Sequence, residues 1–361
     1  MNQGTVYLDN IIFSLQRTGG ISIVWYELLK RLLSSPMADR IRFLEYPNAE
    51  TNLFRRQLDL PTSQIIRQPL ACCAVQRYLN PHVKAGGKFI FHSSYYRTCP
   101  SAKAINVTTV HDFIYEHFMH GVKKQLHCLQ KHRAIRRADH IVCISEHTRR
   151  DLLHFLPDVD PARISVIHNG VSDDYHPLTG IPTADLPFAP GFYVLFVGSR
   201  ASYKNFPHAV EAVGQSGLNL VVVGSPLSQK EEALVRTSLK DRYAYAGRVS
   251  NERLNQLYNH AYCLLYPSSY EGFGIPVLEA QKAGCPVIAT RASSIPEIIG
   301  DSPLLLEELT VGEICNHLAR LRDEALRQSV VDHGQENARR FTWDRMYGQL
   351  QQLYTRLLEN G

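Results

Sequence analysis

The sequence predicts an α/β protein made of two Rossmann-like domains facing across a cleft. Three observations predict it. The chain has 361 residues, and at roughly 150 residues per domain that is enough for two separate cores. Short β-rich runs alternate with longer helical patterns, as in a mostly parallel sheet covered on both faces. Midway, residues 177–191 interrupt the rhythm with Pro177, Gly180, Pro182, Pro187, Pro190 and Gly191, the composition of an interdomain linker.

In order, the first half offers β-rich runs at 6–8, 42–44, 88–92, 106–110, 140–144 and 164–167, with helical patterns at 21–33 and 125–138. After the linker the pattern restarts with runs at 192–197, 219–223, 244–246, 263–266, 287–289 and 304–306. The last helical stretch, 343–358, places Trp343, Met346, Tyr347, Leu350, Leu353, Tyr354 and Leu357 at the spacing of one apolar face, which needs a surface to cover. The expected division is an N-terminal domain over 1–180, a C-terminal domain over 190–342, and a helix over 343–361 packing back across to the N-terminal domain. Ligands in such open sheets bind outside the carboxyl ends of the strands.

Composition excludes several classes. With 44% hydrophobic and 20% charged residues the chain is neither disordered nor fibrous. Its longest apolar runs, at 192–197 and 261–266, span six residues, far short of the roughly 18 that suggest a membrane span. The first basic residue is Arg17, so the start lacks a secretory signal pattern, and the expected location is cytoplasmic. Eight cysteines without a C-x-x-C pair read as reduced thiols, not a disulfide framework. Charge is divided unevenly: residues 1–180 carry 22 Lys+Arg against 15 Asp+Glu, a balance of +7, and the remainder carry 17 against 19, a balance of −2. The basic half is therefore expected to meet something anionic. Neither half has a G-x-G-x-x-G fingerprint or a P-loop, which argues against a nicotinamide dehydrogenase or a P-loop kinase.

The most informative segment is PSSYEGFGIPVLEAQKAG at 267–284. An apolar strand leads through a turn holding Gly272 and Gly274 into a helix that starts near Ile275, with Pro276 suited to its first turn. Glycines let backbone approach a ligand, and the amides of the first helical turn favour an anion. Glu271 and Glu279 are suited to accept hydrogen bonds from sugar hydroxyls; a favourable first-turn charge and a solvated loop residue are the alternatives. Arg200 and Lys204 follow the 192–197 strand, where positive charge suits a diphosphate. Gly19 and Gly20 precede the 21–33 helix, and His111 ends the 106–110 strand.

This segment resembles the signature of the family 4 glycosyltransferases, retaining enzymes of the GT-B fold. The resemblance extends through Gly19-Gly20, His111-Asp112, SEHTRRDL at 145–152, VIHNGV at 166–171, VGSRASYKN at 197–205, GRVSNERL at 247–254 and SIPEI at 294–298. It implies a hexosyltransferase that moves a sugar from a nucleotide-sugar donor held mainly by the second domain, with no metal or other cofactor. Carried onto this chain, it implies that Glu271 contacts hydroxyls of the transferred sugar and Glu279 the ribose. Ser199, Gly272, Phe273, Gly274 and Ile275 join the donor site, with Gly19 and Gly20 approaching the diphosphate from the opposite wall. His111 contacts the sugar near the reacting carbon; read from the residues, Asp112 is either its orienting partner or part of a structural His-Asp pair. Many members place the Arg directly after the Gly of the first donor loop; this chain has Ser199 there and Arg200 one place on, whereas Lys204 keeps its offset from Gly198. GSRASYKN and HDFIYEHF resemble bacterial surface-polysaccharide transferases, several of which use GDP-mannose. Mannose transfer to a glycan or lipid-linked glycan acceptor in O-antigen, capsule or exopolysaccharide synthesis is therefore the expected reaction. A UDP- or dTDP-sugar donor is the alternative, and a sugar-nucleotide epimerase or a noncatalytic binder of anionic ligands stands further off.

Two further patterns bear on partners. His117, His120, His127 and His132 lack a carboxylate- or cysteine-rich shell in the sequence, so no metal site is expected. The basic run Lys123, Lys124, Lys131, Arg133, Arg136 and Arg137, interleaved with Leu126, Leu129, Ala134 and Ile135, suggests an amphipathic helix for an anionic membrane or a lipid-pyrophosphate acceptor, with a solvated helix face as the alternative. Lys123, Lys124, Arg136 and Arg137 are its candidate contacts, with peripheral attachment to the inner face of the cell membrane. No nucleic-acid partner is expected.

Overall fold

The computed structural model describes residues 4–69, 73–179 and 185–360. The chain forms two compact units. The first unit runs up to Asn169 and includes the helix that begins at Trp343; the second is Gly170–Thr342.

In the first unit the elements are β1 (Thr5–Asp9), α1 (Ile11–Leu15), α2 (Gly20–Leu33), β2 (Ile41–Glu45), β3 (Ile65–Arg67), α3 (Cys73–Gln76), β4 (Phe89–Ser93), β5 (Ala104–Val110), α4 (Ile114–Phe118), α5 (Gly121–Arg137), β6 (His140–Cys143), α6 (Glu146–Phe155) and β7 (Ile164–Val166). The second holds β8 (Tyr193–Val197), α7 (Phe206–Ser216), β9 (Asn219–Val223), α8 (Gln229–Leu239), β10 (Tyr243–Gly247), α9 (Asn251–His260), β11 (Cys263–Tyr266), α10 (Ile275–Lys282), β12 (Val287–Thr290), α11 (Ile295–Ile299), β13 (Leu305–Leu306), α12 (Val311–Arg320) and α13 (Glu324–Ala338). The last helix, α14 (Trp343–Asn360), belongs to the first unit.

Both sheets are parallel. The first has the strand order β3-β2-β1-β4-β5-β6-β7, with Val6 beside both Ile41 and Ile90. The second has the order β10-β9-β8-β11-β12-β13, with Leu195 beside both Val221 and Leu264. Central strands are buried on both faces, so they read as continuous apolar runs instead of alternating ones: all five residues of β4 are buried, as are four of five in β9. The first core includes Tyr7, Phe89 and Phe91, with Tyr7 and Phe89 edge to face at 4.9 Å. The second packs Val194, Phe196, Val210 and Val222 between α7 and the sheet. In each sheet the order reverses once, between β1 and β4 and between β8 and β11. A parallel sheet leaves a crevice for ligands outside the strand ends at such a point.

Two expectations are corrected. The chain leaves the first unit at Asn169, before the Pro/Gly-rich stretch at 177–191. That stretch is not a free linker where it is described, residues 180–184 lying outside the described residues. The amides of His176 and Leu178 donate to Asn255 and Asn259 of α9 at 3.1 and 2.8 Å, and the Gly191 amide donates to the His260 carbonyl at 2.8 Å. Secondly, β3 is an additional edge strand. Its three residues are largely exposed and carry no alternation that a sequence pattern would reveal.

Helix α14 seats its apolar face on the first unit. Met346, Leu350, Leu353 and Tyr354 are buried, the Arg31 guanidinium pairs with Asp344 at 2.5 Å, and the Tyr354 hydroxyl lies 2.6 Å from His92 Nδ1.

Candidate active site

At the reversal point of the second sheet, the loops that follow β8 and β11 are bonded together. After Val197 the backbone turns at Gly198, whose φ of 117° favours glycine, passes exposed Ser199, and makes a single 3₁₀ turn at Ser202–Lys204. Asn205, in the left-handed region at φ 51°, then starts α7. Its side-chain amide donates to the Pro267 carbonyl at 2.9 Å and to Ser269 Oγ at 2.6 Å, and the Ser269 amide donates to the Tyr203 carbonyl at 2.7 Å. These bonds place Lys204 over the end of β11. Its ammonium pairs with the Glu271 carboxylate and donates to the Tyr266 hydroxyl at 3.3 Å. Both side chains are nearly enclosed, Lys204 at 11% exposure and Glu271 at 10%. An ammonium and a carboxylate so held neutralise one another until a ligand offers the first an anion and the second hydroxyl donors.

The loop from Glu271 to α10 is fixed from the opposite side. The Glu271 amide donates to Ser293 Oγ at 2.7 Å, and Ser294 Oγ lies 2.9 Å from the carbonyls of both Glu271 and Phe273. Gly272 and Phe273 are buried, and Phe273 packs edge to face on Phe341 at 5.9 Å. Gly274, at φ 107°, is the N-cap of α10 and has no side chain to bond the first turn, which Ile275 and Pro276 begin. One turn further, Glu279 Oε2 accepts from the Tyr258 hydroxyl at 3.0 Å, and Tyr175 also bonds the carboxyl. Burial pushes the Glu279 carboxyl up to about 7 despite those two hydrogen bonds.

Arg200 is not brought to this cluster. Its guanidinium donates to the carbonyls of Ser225 and Pro226 at 2.8 and 2.6 Å and lies 3.0 Å from Glu231 of α8. It fastens the loop after β8 to the loop before α8. Glu231 is also the N3 residue of the capping box that Ser228 opens at the start of α8.

In the first unit, the carboxyl ends of β4, β5 and β6 meet α2 and α14 around a partly open pocket. Ile21, Trp25, Met346 and Leu350 contribute to its apolar wall, and His92, Thr109, His111 and Asn169 to its polar side. Gly19 is the N-cap of α2 and Gly20 its first residue; Gly19 is extended, and a Cβ there would meet only the end of the Gln16 side chain, at 2.4 Å. Burial pulls the His111 imidazole down to about 4 and that of His92 to about 3, where His111 adds repulsion. Both are neutral at pH 7. Asp112 Oδ1 accepts the Ile114 amide at 3.0 Å, and its carbonyl accepts from Lys131 at 3.0 Å.

The basic helix α5 also differs from expectation. Lys131 is fully buried, paired with Glu116 Oε2 at 2.6 Å. Lys124 donates to the Glu116 carbonyl at 2.8 Å, and Arg136 holds Asp158 at 2.8 and 3.2 Å. Lys123, Arg133 and Arg137 are exposed, beside an apolar row of Val122 (77% exposed), Leu126 (43%) and Leu129 (67%). Of the four histidines, His132 does have metal-ligand company: its imidazole, the Glu116 carboxylate and the Cys128 thiol have ligand atoms within 4.8 Å of one another. Glu116 already receives the Lys131 ammonium there, a cation supplied by the protein. Among the described residues no helix is long and apolar enough to cross a membrane.

Sequence reasoning missed Tyr175, Tyr258 and Tyr266, which bond the carboxyls and the ammonium, and also missed His92 and Thr109. Their types and spacings are those of ordinary core residues, and only the fold turns their polar atoms toward the site.

Two family models match the chain. Glycosyltransferase Family 4 matches residues 18–175, and Glycosyl transferases group 1 matches residues 186–355. The chain is 28% identical over 302 residues to O-antigen chain mannosyltransferase B of Escherichia coli, spanning 77% of this chain and 78% of that protein. Its fold is similar to that of sucrose-phosphate synthase from Thermosynechococcus elongatus (TM-score 0.75, 19% identity, 99% and 100% of the two chains). It is also similar to that of Anabaena HepE in complex with UDP-glucose (TM-score 0.73, 16% identity, 97% and 98%).

Proposed function

The chain belongs to the family 4 glycosyltransferases and is a hexosyltransferase of GT-B fold, and from that premise we propose that it is a retaining, metal-independent mannosyltransferase of cell-surface polysaccharide synthesis. The donor is GDP-mannose, and the acceptor is a glycan or lipid-linked glycan. The observation that carries the reading is the Lys204–Glu271 pair at the reversal point of the second sheet, beside the uncapped first turn of α10. The choice of mannose is supported by the relative's name, an O-antigen chain mannosyltransferase.

On this reading the diphosphate takes the Lys204 ammonium and the first-turn amides of α10, whose partial positive charge favours an anion. Glu271, released from its ion pair, accepts from the transferred sugar, and Glu279 from the ribose. The first unit's cavity around His111 receives the acceptor. The bond between the anomeric carbon and the diphosphate oxygen breaks as the acceptor oxygen bonds that carbon on the same face. The acceptor proton passes to the departing diphosphate oxygen. Charge developing on the leaving group meets preorganised positive charge, which is the role a divalent ion would otherwise fill.

Arg200 enters this reading as a brace for the loop that carries Lys204, not as a diphosphate ligand. Membrane attachment is assigned to α5, by the row of Val122, Leu126 and Leu129 with Lys123, Arg133 and Arg137, on an anionic leaflet.

The test is a thermal-shift panel of GDP-mannose, UDP-glucose, UDP-N-acetylglucosamine and dTDP-rhamnose with the full chain. A ligand at one hundred times its Kd stabilises by about 2.7 kcal/mol. GDP-mannose is expected to give the largest shift, and Lys204→Ala to abolish it. A larger shift with a UDP or dTDP sugar refutes the donor assignment. An unchanged shift in Lys204→Ala refutes the site.

A further inference from the structure

The first unit's cavity contains a hydrogen-bond chain whose direction is fixed by a buried hydroxyl. Tyr354, on α14, is fully buried. Among the described residues its hydroxyl has one hydrogen-bond partner, His92 Nδ1 at 2.6 Å. On the other side of the ring, His92 Nε2 lies 2.8 Å from Thr109 Oγ1. Trp25 stands edge-on to the imidazole at 5.3 Å and is itself held by Asn10 at 2.8 Å, so the ring is clamped.

Two proton arrangements fit those distances, and they differ in one respect. If Nδ1 carried the ring proton and donated to Tyr354, the phenol's own proton would be buried with no acceptor, at a cost comparable to a lost hydrogen bond. The phenol therefore donates to Nδ1. A neutral imidazole then carries its proton on Nε2 and donates it to Thr109 Oγ1. The ring is neutral because burial, and then His111, hold its pKa far below 7. The Thr109 hydroxyl has no other hydrogen-bond partner among the described residues. The residue is only partly buried, lies two residues before His111 on the same edge of the sheet, and lines the cavity. Its hydroxyl proton is left for the cavity.

We propose that Thr109 is a hydrogen-bond donor of fixed polarity to an oxygen of the acceptor sugar, with Tyr354 and His92 as positioning residues that set that polarity. The inference rests on the reading of this cavity as the acceptor site. It makes the cavity selective for a sugar bearing an oxygen lone pair, in place of a deoxy position, at the point that faces Thr109.

The first experiment is imidazole ¹⁵N NMR of the full chain at pH 7, with His92 assigned by His92→Gln. A neutral Nε2–H tautomer is expected; an Nδ1–H tautomer or an imidazolium overturns the proposal. The second titrates methyl α-D-mannopyranoside and follows the His92 and His111 signals in wild type, Thr109→Val, Thr109→Ser and Tyr354→Phe. Thr109→Val is expected to weaken binding about five- to tenfold, the range of one neutral hydrogen bond, and Thr109→Ser to restore it. Tyr354→Phe lets the ring exchange tautomers, so it should weaken binding two- to threefold in the Thr109 background and have no further effect in the Thr109→Val background. Wild-type signals that do not move overturn the reading of the cavity as an acceptor site, and the proposed ligand with it. Signals that move equally in wild type and Thr109→Val leave that reading standing and overturn the donor role. Additive effects of Tyr354→Phe and Thr109→Val overturn the chain.

Discussion

Replacing Glu279 with glutamine should remove a pH dependence that the second unit carries. The carboxyl sits among Tyr258, Tyr175 and the start of α10, and burial raises it from an ordinary 4.5 to about 7. A carboxyl raised on folding binds its proton more tightly in the folded state, so its contribution is fully present below 4.5 and lost as pH rises through 7. At about 1.4 kcal/mol per pK unit, the difference between pH 4.5 and pH 8 is about 3 kcal/mol. For a unit of this size that corresponds to about 6–12 °C in Tm. Glutamine stays neutral, and its carbonyl still accepts from both tyrosines. Melts should be followed by circular dichroism from pH 5 to 8.5, with tryptophan fluorescence recorded in parallel. Trp25 and Trp343 both belong to the first unit, so the fluorescence transition identifies that unit and leaves the other to the second. The wild-type Tm of the second unit should fall relative to Glu279→Gln as pH rises through 7. Parallel curves to within about one degree, or a ¹³C titration placing Glu279 in the ordinary carboxylate range, would refute the reasoning.

Lys204→Ala should lower kcat by about 10²- to 10³-fold, as does loss of one preorganised donor to developing charge; a rate within tenfold of wild type in the folded variant excludes Lys204 from leaving-group stabilisation. The first unit should be labile to acid, because His92 at about 3 and His111 at about 4 are folded neutral and lie below the unfolded value of 6.5. Stability is retained above 6.5 and lost as pH falls through that window, and tryptophan fluorescence stable to pH 4 contradicts it. Asp9→Ala strips the partner from fully buried Arg97, which it holds at 2.6 and 2.8 Å; the expected loss in the first unit is about 3–5 kcal/mol in urea titration. Vesicles of anionic phospholipid should bind the wild-type chain in a salt-sensitive manner, and Leu129→Ser with Arg133→Glu should release it. Equal sedimentation of both proteins with the vesicles removes α5 as the contact.

The sheets were legible because doubly buried strands leave continuous apolar runs, as at Val194–Val197 and Leu220–Val223. Strand β3 was not, because an exposed three-residue edge needs no apolar signature. The glycines, Glu271 and Lys204 were visible as a loop pattern, since Gly198 and Gly274 occupy backbone regions that side chains disfavour. Their pairing was not visible, because it depends on Asn205 and Ser269 bridging two loops that are distant in sequence. Arg200 illustrates the limit: position after the strand suggested a phosphate ligand, yet Glu231 and two carbonyls compete for its guanidinium. Charge counted along α5 likewise overstated its basic face, since Lys131 points inward to Glu116.

Because α14 completes the first unit while the second lies between them in the chain, biosynthesis imposes an order. The ribosome makes all of 170–342 before Tyr354 exists to close on His92. Until then the nascent first unit exposes the apolar surface that Met346, Leu350 and Leu353 later cover, while the second can finish folding by itself. Domains folding in order of emergence would here complete the second one first. A nascent chain stalled before residue 343 should therefore recruit hydrophobic-surface chaperones through its earlier half.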